Sequence, residues 1–272
     1  MKKNENCSRT TPFVSNRHAS KAIYINNVPI NKVSETKFLG VIIDDKLNWS
    51  AHIEYLAKKL RSAAAVLCRI RHSIPKENYK NIYYALFESH LTYGITVWGG
   101  VCKAKMEKLF VIQKHCIRIL FGDLDAYLDK FCTCARVRPY GCQKLGATFY
   151  CLEHTKPLFN NNDLLAVQNL FTYHCCIEVF KILKFHTPIT LYSQLNISQR
   201  NNSMLLITPR PSTQFTYIGP KLWNDVRKKL HIESEIEGST NLSSIKSAIK
   251  CLLLTNQKKF DKYEWYLYNL TI

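Results

Sequence analysis

At 272 residues the chain can form one large domain or two small ones. Its 46% hydrophobic and 12% aromatic content argues against wholesale disorder, and no apolar run approaches the roughly 18 residues of a membrane span. Lys and Arg number 38 against 20 Asp and Glu, a net charge of +18, and residues 1–122 carry 20 against 8, or +12, of that excess. Such a field favours phosphate backbones or anionic lipid. The polar start MKKNENCSRTT lacks the apolar stretch of a secretory signal, which sets the expectation of an intracellular protein, cytoplasmic or nuclear. The 11 cysteines are then expected to be mostly free thiols, and an odd count excludes a complete set of intrachain disulfides.

Residues 1–20 read as a loose polar leader. Ala22–Ile25 and Val28–Ile30 flank Asn26–Asn27, a pair that tolerates left-handed backbone and therefore predicts a turn. Thr36–Asp44 (TKFLGVIID) is β-branched and aromatic and reads as a further strand of a small antiparallel sheet. Gly40 inside it suggests a bulge or a close backbone approach, with plain packing as the alternative. Ser50 is the expected N-cap of a long helix reaching Arg71, in which Ile53, Leu56, Leu60, Ala64, Leu67 and Ile70 form the buried stripe. Lys58, Arg61 and Arg69 then fall on the opposite side, a basic ridge that suits a phosphate backbone or forms an ordinary solvated face.

Pro75 resets the chain, and Lys76 opens a second predicted helix running to Gly99–Gly100. Its stripe is read as Ile82, Tyr83, Leu86, His90, Tyr93 and Val97, with His90 as a core histidine. A third helix is predicted from Lys103 to Leu120, closed by Gly122, with Met106, Leu109, Ile112, Gln113, Cys116, Ile117 and Leu120 inside. Lys105, Lys108 and Lys114 keep its outer surface basic. Further helices are expected over Leu164–Lys184, Gly219–Leu230 with Pro220 at its start, and Ser243–Leu254, and an extended arm over 196–217. The aromatic C-terminal segment is expected to pack back or to dimerise. The fold class is mainly α with a small antiparallel β element at the N-terminus.

Two constellations invite chemistry. Asp44–Asp45 at a strand end suggests the carboxylate pair of a two-metal polymerase. That chemistry needs carboxylates from at least two strands, and adjacent strand residues point to opposite faces. The expectation is therefore a strand-end turn that caps the next helix. Cys132, Cys134, Cys142, Cys151 and His154 fall within 23 residues, but a C-x-C pair and a second pair split by eight residues depart from zinc spacing. A zinc-dependent interaction module remains the alternative reading there. No phosphate loop, nucleophile elbow or zinc-protease motif is present.

The stretch KFLGVIIDDKLNWSAHI resembles the region just after the catalytic palm of reverse transcriptases from non-LTR, jockey-like retrotransposons. The similarity continues through IPKENYKNIYYALFESHLTYGITVWGG, CIRILFG, HTKPLF and GPKLWND, covering about residues 10–260. The resemblance implies a palm-edge hairpin over 21–49, a thumb-like helical bundle over 50–122 and a mostly helical connecting region over 123–272. It also implies a fragment of a retrotransposon RNA-directed DNA polymerase, with the catalytic aspartate strands upstream of Met1. Such a fragment is expected to bind duplex backbone, RNA–DNA or DNA, without polymerising alone, or to be an inert remnant. The implied phosphate contacts are Lys58, Lys59, Arg61, Arg69, Lys105, Lys108 and Lys114, and Phe38, Leu39 and Gly40 would approach the primer end. The parent enzyme would use Mg2+; no cofactor, catalytic residue, small-molecule substrate or membrane partner is expected for this chain.

Overall fold

The computed structural model describes residues 23–122, 155–195, 204–206, 214–230 and 241–259. Two antiparallel hairpins come first, β1 (Ile23–Ile25) with β2 (Val28–Ile30) and β3 (Glu35–Phe38) with β4 (Val41–Asp44), each a separate two-stranded sheet. Asn26 and Asn27 turn the first with φ of 48° and 62°, as their chemistry predicts. Thr36–Asp44 is not one strand. Leu39 and Gly40 take φ of 45° and 82° and fold the segment back on itself, so that Phe38 pairs with Val41 and Glu35 with Asp44. Gly40 is thus a two-residue hairpin turn glycine, where a residue with a Cβ would be strained.

Helix α1 spans Ser50–Ile70 and buries Ile53, Leu56, Leu60, Ala64 and Leu67 on the predicted stripe. Fully burying such a leucine or isoleucine contributes about 1.5–3 kcal/mol, which is why this face determines the helix's docking. The N-cap is Trp49, in left-handed conformation at φ 63°, and Ser50 is already helical. The expected Ser50 cap is displaced because the Asp44 carboxylate takes over the end of the turn, as described below.

The predicted second helix is broken. A 3-10 turn at Lys76–Asn78 leads into α2 (Tyr79–Tyr83), a single π-helical turn (Tyr84–Glu88), α3 (Ser89–Thr92) and, past Gly94 at φ 62°, α4 (Ile95–Trp98). The π turn adds about a residue per turn and shifts the inward face. The buried positions are Tyr79, Tyr83, Phe87, Leu91, Ile95 and Trp98, whereas His90, Tyr93 and Val97 are exposed. His90 is therefore a surface residue. The Gly99 N–H donates to the Ile95 carbonyl at 2.7 Å and ends the run.

Helix α5 (Lys103–Phe121) buries its whole predicted stripe, packs along α1, and ends at Gly122. Next come α6 (Lys156–Asn161), α7 (Val167–Phe185), α8 (Ile189–Tyr192), α9 (Phe215–Leu230) and α10 (Leu242–Lys259). Phe215–Tyr217, expected in the extended arm, is the first turn of α9, and Pro220 lies inside that helix. Trp223 of α9 is fully buried against α7, with its ring 6.1 Å from that of Phe180. Of the arm, Leu205 is described: its N–H donates to Asn224 Oδ1 at 3.0 Å and its carbonyl accepts from Asn224 Nδ2 at 2.9 Å. Helix α10 packs on α6, α7 and α9.

Two buried glutamines join the halves of this body. Gln113 Nε2 donates to the Tyr83 hydroxyl at 3.0 Å and the Leu165 carbonyl at 2.9 Å, while its Oε1 accepts the Val167 N–H at 2.9 Å. Gln257 Oε1 accepts from Ala166 N–H and Asn169 Nδ2, and its Nε2 donates to the Leu164 carbonyl. Between them they satisfy the Ala166 and Val167 N–H groups and the Leu164 and Leu165 carbonyls of the buried segment that leads into α7. Among the described residues, Cys68, Cys116, Cys175, Cys176 and Cys251 are free thiols and Cys102 is disulfide-bonded. No described helix is long and apolar enough to cross a membrane.

Candidate nucleic-acid interface

Asp44 organises the junction between hairpin and helix. Its Oδ1 accepts the N–H groups of Lys46 at 3.2 Å and Asn48 at 3.0 Å, and its Oδ2 accepts that of Trp49 at 2.8 Å. Asn48 Oδ1 takes the next N–H, that of Ser50, at 2.9 Å. The carboxylate thus holds the 44–49 turn closed at the positive end of α1, where a negative charge is favoured. Asp45 is exposed and adds only its backbone N–H, donated to the Ser34 carbonyl. With both Asp44 oxygens engaged by backbone donors, the pair does not fit a two-metal centre. Among the described residues no group of His, Cys, Asp and Glu could hold a metal ion. Cys132, Cys134, Cys142, Cys151 and His154 lie outside the described residues.

His52 fixes the hairpin to α1 from the other side. It is buried beside Trp98, its Nδ1 accepts the Ile42 N–H at 3.3 Å, and burial lowers its pKa. At the hairpin tip the Tyr93 hydroxyl donates to the Leu39 carbonyl at 2.6 Å. That leaves Phe38 61% and Leu39 73% exposed, with Gly40 in the turn over the Tyr93 ring. The three residues predicted for the primer end therefore form one anchored, apolar, solvent-facing tip.

The seven predicted phosphate contacts divide into two sets. Lys58, Lys59, Arg61 and Arg69 are all exposed on α1, and none has an ion-pair partner among the described residues. Lys58 and Arg69 are 11 residues apart, about 20° from alignment at 100° per residue, and Arg61 lies about 60° from Lys58 and about 80° from Arg69. The α5 lysines are occupied locally. Lys105 donates to the Asn48 carbonyl at 2.5 Å, and burial lowers its pKa despite the opposing pull of Asp44. Lys108 is ion-paired with Glu54, whose own pKa that hydrogen bond lowers. Lys114 pairs with Glu107 at 3.7 Å and lies 4.4 Å from the Phe110 ring centroid, and burial lowers its pKa. Their charge is partly spent within the fold, while that of α1 faces solvent.

Sequence reasoning missed two members of this surface, Lys37 and Tyr55. Lys37 of β3 and Lys59 of α1 converge on the Tyr55 ring, 5.1 and 5.0 Å from its centroid. Hydrogen bonds from Lys59 and Lys37 hold the Tyr55 phenol below its ordinary pKa. The spacing of Tyr55 and Lys59, one helical turn apart, was a legible signal; the approach of Lys37 depends on how the hairpin docks and was not. Through Tyr55 the hairpin and α1 present one continuous basic surface.

Curated proteins are similar to part of this chain. It is 27% identical over 122 residues, 44% of this chain and 13% of the relative, to a protein described as "Probable RNA-directed DNA polymerase from transposon X-element" of Drosophila melanogaster. It is 26% identical over 121 residues to "RNA-directed DNA polymerase from mobile element jockey" of the same organism, covering 43% of this chain and 13% of that protein. The jockey polymerase of Drosophila funebris is 27% identical over 119 residues, again 43% of this chain and 13% of the relative. The match thus spans about 13% of the length of these relatives. No family model matches the chain, and no solved structure matches it. Over somewhat less than half its length, this chain contains a region related to the RNA-directed DNA polymerases of non-LTR retrotransposons.

Proposed function

We propose that this chain grips the backbone of a nucleic-acid duplex, RNA–DNA or DNA, without reading its sequence. In this reading the hairpins are the edge of a polymerase palm, residues 50–122 are its thumb, and 123–272 form a connecting region. The observation that carries it is the row of exposed cations without ion-pair partners among the described residues, Lys58, Lys59, Arg61 and Arg69, on a helix 21 residues long that is fixed to the hairpin. A rigid rod with solvent-facing charge is what backbone tracking requires, because phosphate contacts position a protein without specifying bases. The apolar tip of Phe38, Leu39 and Gly40 suits a contact with the end of a primer strand.

The proposal includes no polymerisation by this chain alone. Both Asp44 oxygens are engaged by backbone N–H groups, so Asp44 and Asp45 do not fit the carboxylate pair that would hold the Mg2+ of a parent polymerase. The test is binding of the chain to a labelled RNA–DNA duplex across a salt series, with primer extension run beside it. Four phosphate contacts predict a log–log slope of about −3.6, and hence an affinity loss of about 10²-fold between roughly 50 and 200 mM salt. Salt-insensitive binding, or none at low salt, would reject the interface. Metal-dependent extension would reject the structural role given to Asp44.

A further inference from the structure

A cleft of about 300 Å3 opens where the π turn and α3 meet α7 and α10, away from any residue assigned above to duplex binding. Leu165 and Leu170 supply apolar lining, the Tyr84 and Tyr173 rings supply aromatic faces, and Glu88 and Asp163 contribute carboxyl groups. Glu88 is held in the π turn, a distortion often found where a helix is shaped around a site. Its Oε2 is sealed from solvent and has no hydrogen-bond partner, and the same is true of the Tyr84 hydroxyl. No cation lies within ion-pair distance of Glu88 among the described residues.

The surrounding charges leave Glu88 short of a counter-ion. From α10, Lys250 attracts it, but the Lys250 ammonium sits 5.7 Å from the Tyr84 ring centroid instead. Burial outweighs that attraction and raises the Glu88 carboxyl to about 7. From α7, Tyr173 has its pKa raised and His174 has its pKa lowered, both chiefly by burial, so both favour their neutral forms. Asp163 adds a second negative charge. With Glu88 ionised the cleft carries two carboxylates against one ammonium. Its lining therefore combines a deficit of positive charge with aromatic and aliphatic walls, which together suit a cation bearing a short hydrocarbon tail.

We infer that this cleft binds a small primary alkylammonium ligand, the ammonium countering Glu88 between the Tyr84 and Tyr173 rings and the tail lying on Leu165 and Leu170. The inference is independent of the duplex-binding proposal. A phosphate would meet carboxylates of its own sign here.

The experiment is calorimetric titration of the full chain with n-butylammonium chloride at constant ionic strength, with sodium butyrate as the anionic control. Saturable binding of the amine and not of butyrate is expected at about pH 8.5. Affinity should fall about 30-fold by roughly pH 5.5, because a carboxyl titrating near 7 goes from almost wholly to about one-thirtieth ionised. Protonation of His174 acts in the same direction, so Glu88→Gln separates the two: it should weaken binding at about pH 8.5 by a similar factor and flatten the pH profile. Absence of saturable binding at the higher pH, equal binding of butyrate, or unchanged affinity in a folded Glu88→Gln chain would overturn the inference. Should that variant not fold, the pH series on the unaltered chain decides, and a flat profile overturns it.

Discussion

Replacing Asp44 by alanine removes an acceptor shared by three backbone N–H groups. The shortest bond, 2.8 Å from Trp49, is part-buried and charge-assisted, a class that contributes about 1.5–3 kcal/mol. The bonds from Asn48 and Lys46, 3.0 and 3.2 Å, are longer, and that from Lys46 is exposed; they contribute about 0.5–1 kcal/mol each. The expected loss is about 3 kcal/mol. With a urea m-value of about 3 kcal/mol/M, this lowers the unfolding midpoint by about 1 M. Trp49 is 9% exposed and sits at the affected turn, so tryptophan fluorescence should follow the transition. Asp45→Ala is the internal control: its side chain is exposed, and a change within about 0.5 kcal/mol is expected. Equal effects of the two substitutions, or a loss below about 0.5 kcal/mol for Asp44→Ala, would refute the turn-closing role of Asp44.

Gln113→Leu should cost about 4 kcal/mol, because the Val167 N–H, the Leu165 carbonyl and the Tyr83 hydroxyl all lose their buried partner; an unfolding curve shifted by under about 1 kcal/mol would contradict this. Glu88 gives a pH signature of definite sign. Its folded pKa, about 7, lies above its ordinary value of 4.5, so the native state binds the extra proton. Its contribution, about 3 kcal/mol, is therefore full below pH 4.5 and is lost as pH rises through about 7. Subtracting the stability curve of Glu88→Gln from that of the unaltered chain should isolate this slope; a flat difference would contradict the burial assigned to Glu88. His52 acts in the opposite sense, since burial lowers its pKa and stability falls as acid protonates it preferentially in the unfolded chain.

The long amphipathic elements were legible in the sequence. The stripes of α1 and α5 are buried nearly residue for residue, since a period of 3.6 sustained over five turns leaves one way to hide the apolar side. Asp44 as a strand-end turn residue was legible too, from the mismatch between adjacent strand aspartates and two-metal geometry, although its carboxylate closes the turn before α1 and accepts no N–H of the helix itself. The errors cluster where local geometry departs from a regular period. Tyr83, Phe87, Leu91 and Ile95 step by four because a π turn intervenes, and a 3.6 template assigns His90 to the inside instead. Phe38-Leu39-Gly40-Val41 reads as continuous strand because a Leu at positive φ is rarely expected in a hairpin turn. The pairing of Lys105, Lys108 and Lys114 with groups of their own fold, and the meeting of Lys37 with Lys59 at Tyr55, are tertiary facts with no sequence period. Composition could establish that the chain is basic; it could not show which cations remain turned to solvent.

The central claim is that the exposed face of α1 carries the duplex contacts, and the salt dependence of binding in one variant tests it most directly. In a chain carrying Lys58→Gln, Arg61→Gln and Arg69→Gln, removal of three phosphate contacts should reduce the log–log salt slope for an RNA–DNA duplex by about 2.7. Circular dichroism should be unchanged, because all three side chains are exposed. An affinity and slope equal to those of the unaltered chain would contradict the account and move the interface elsewhere.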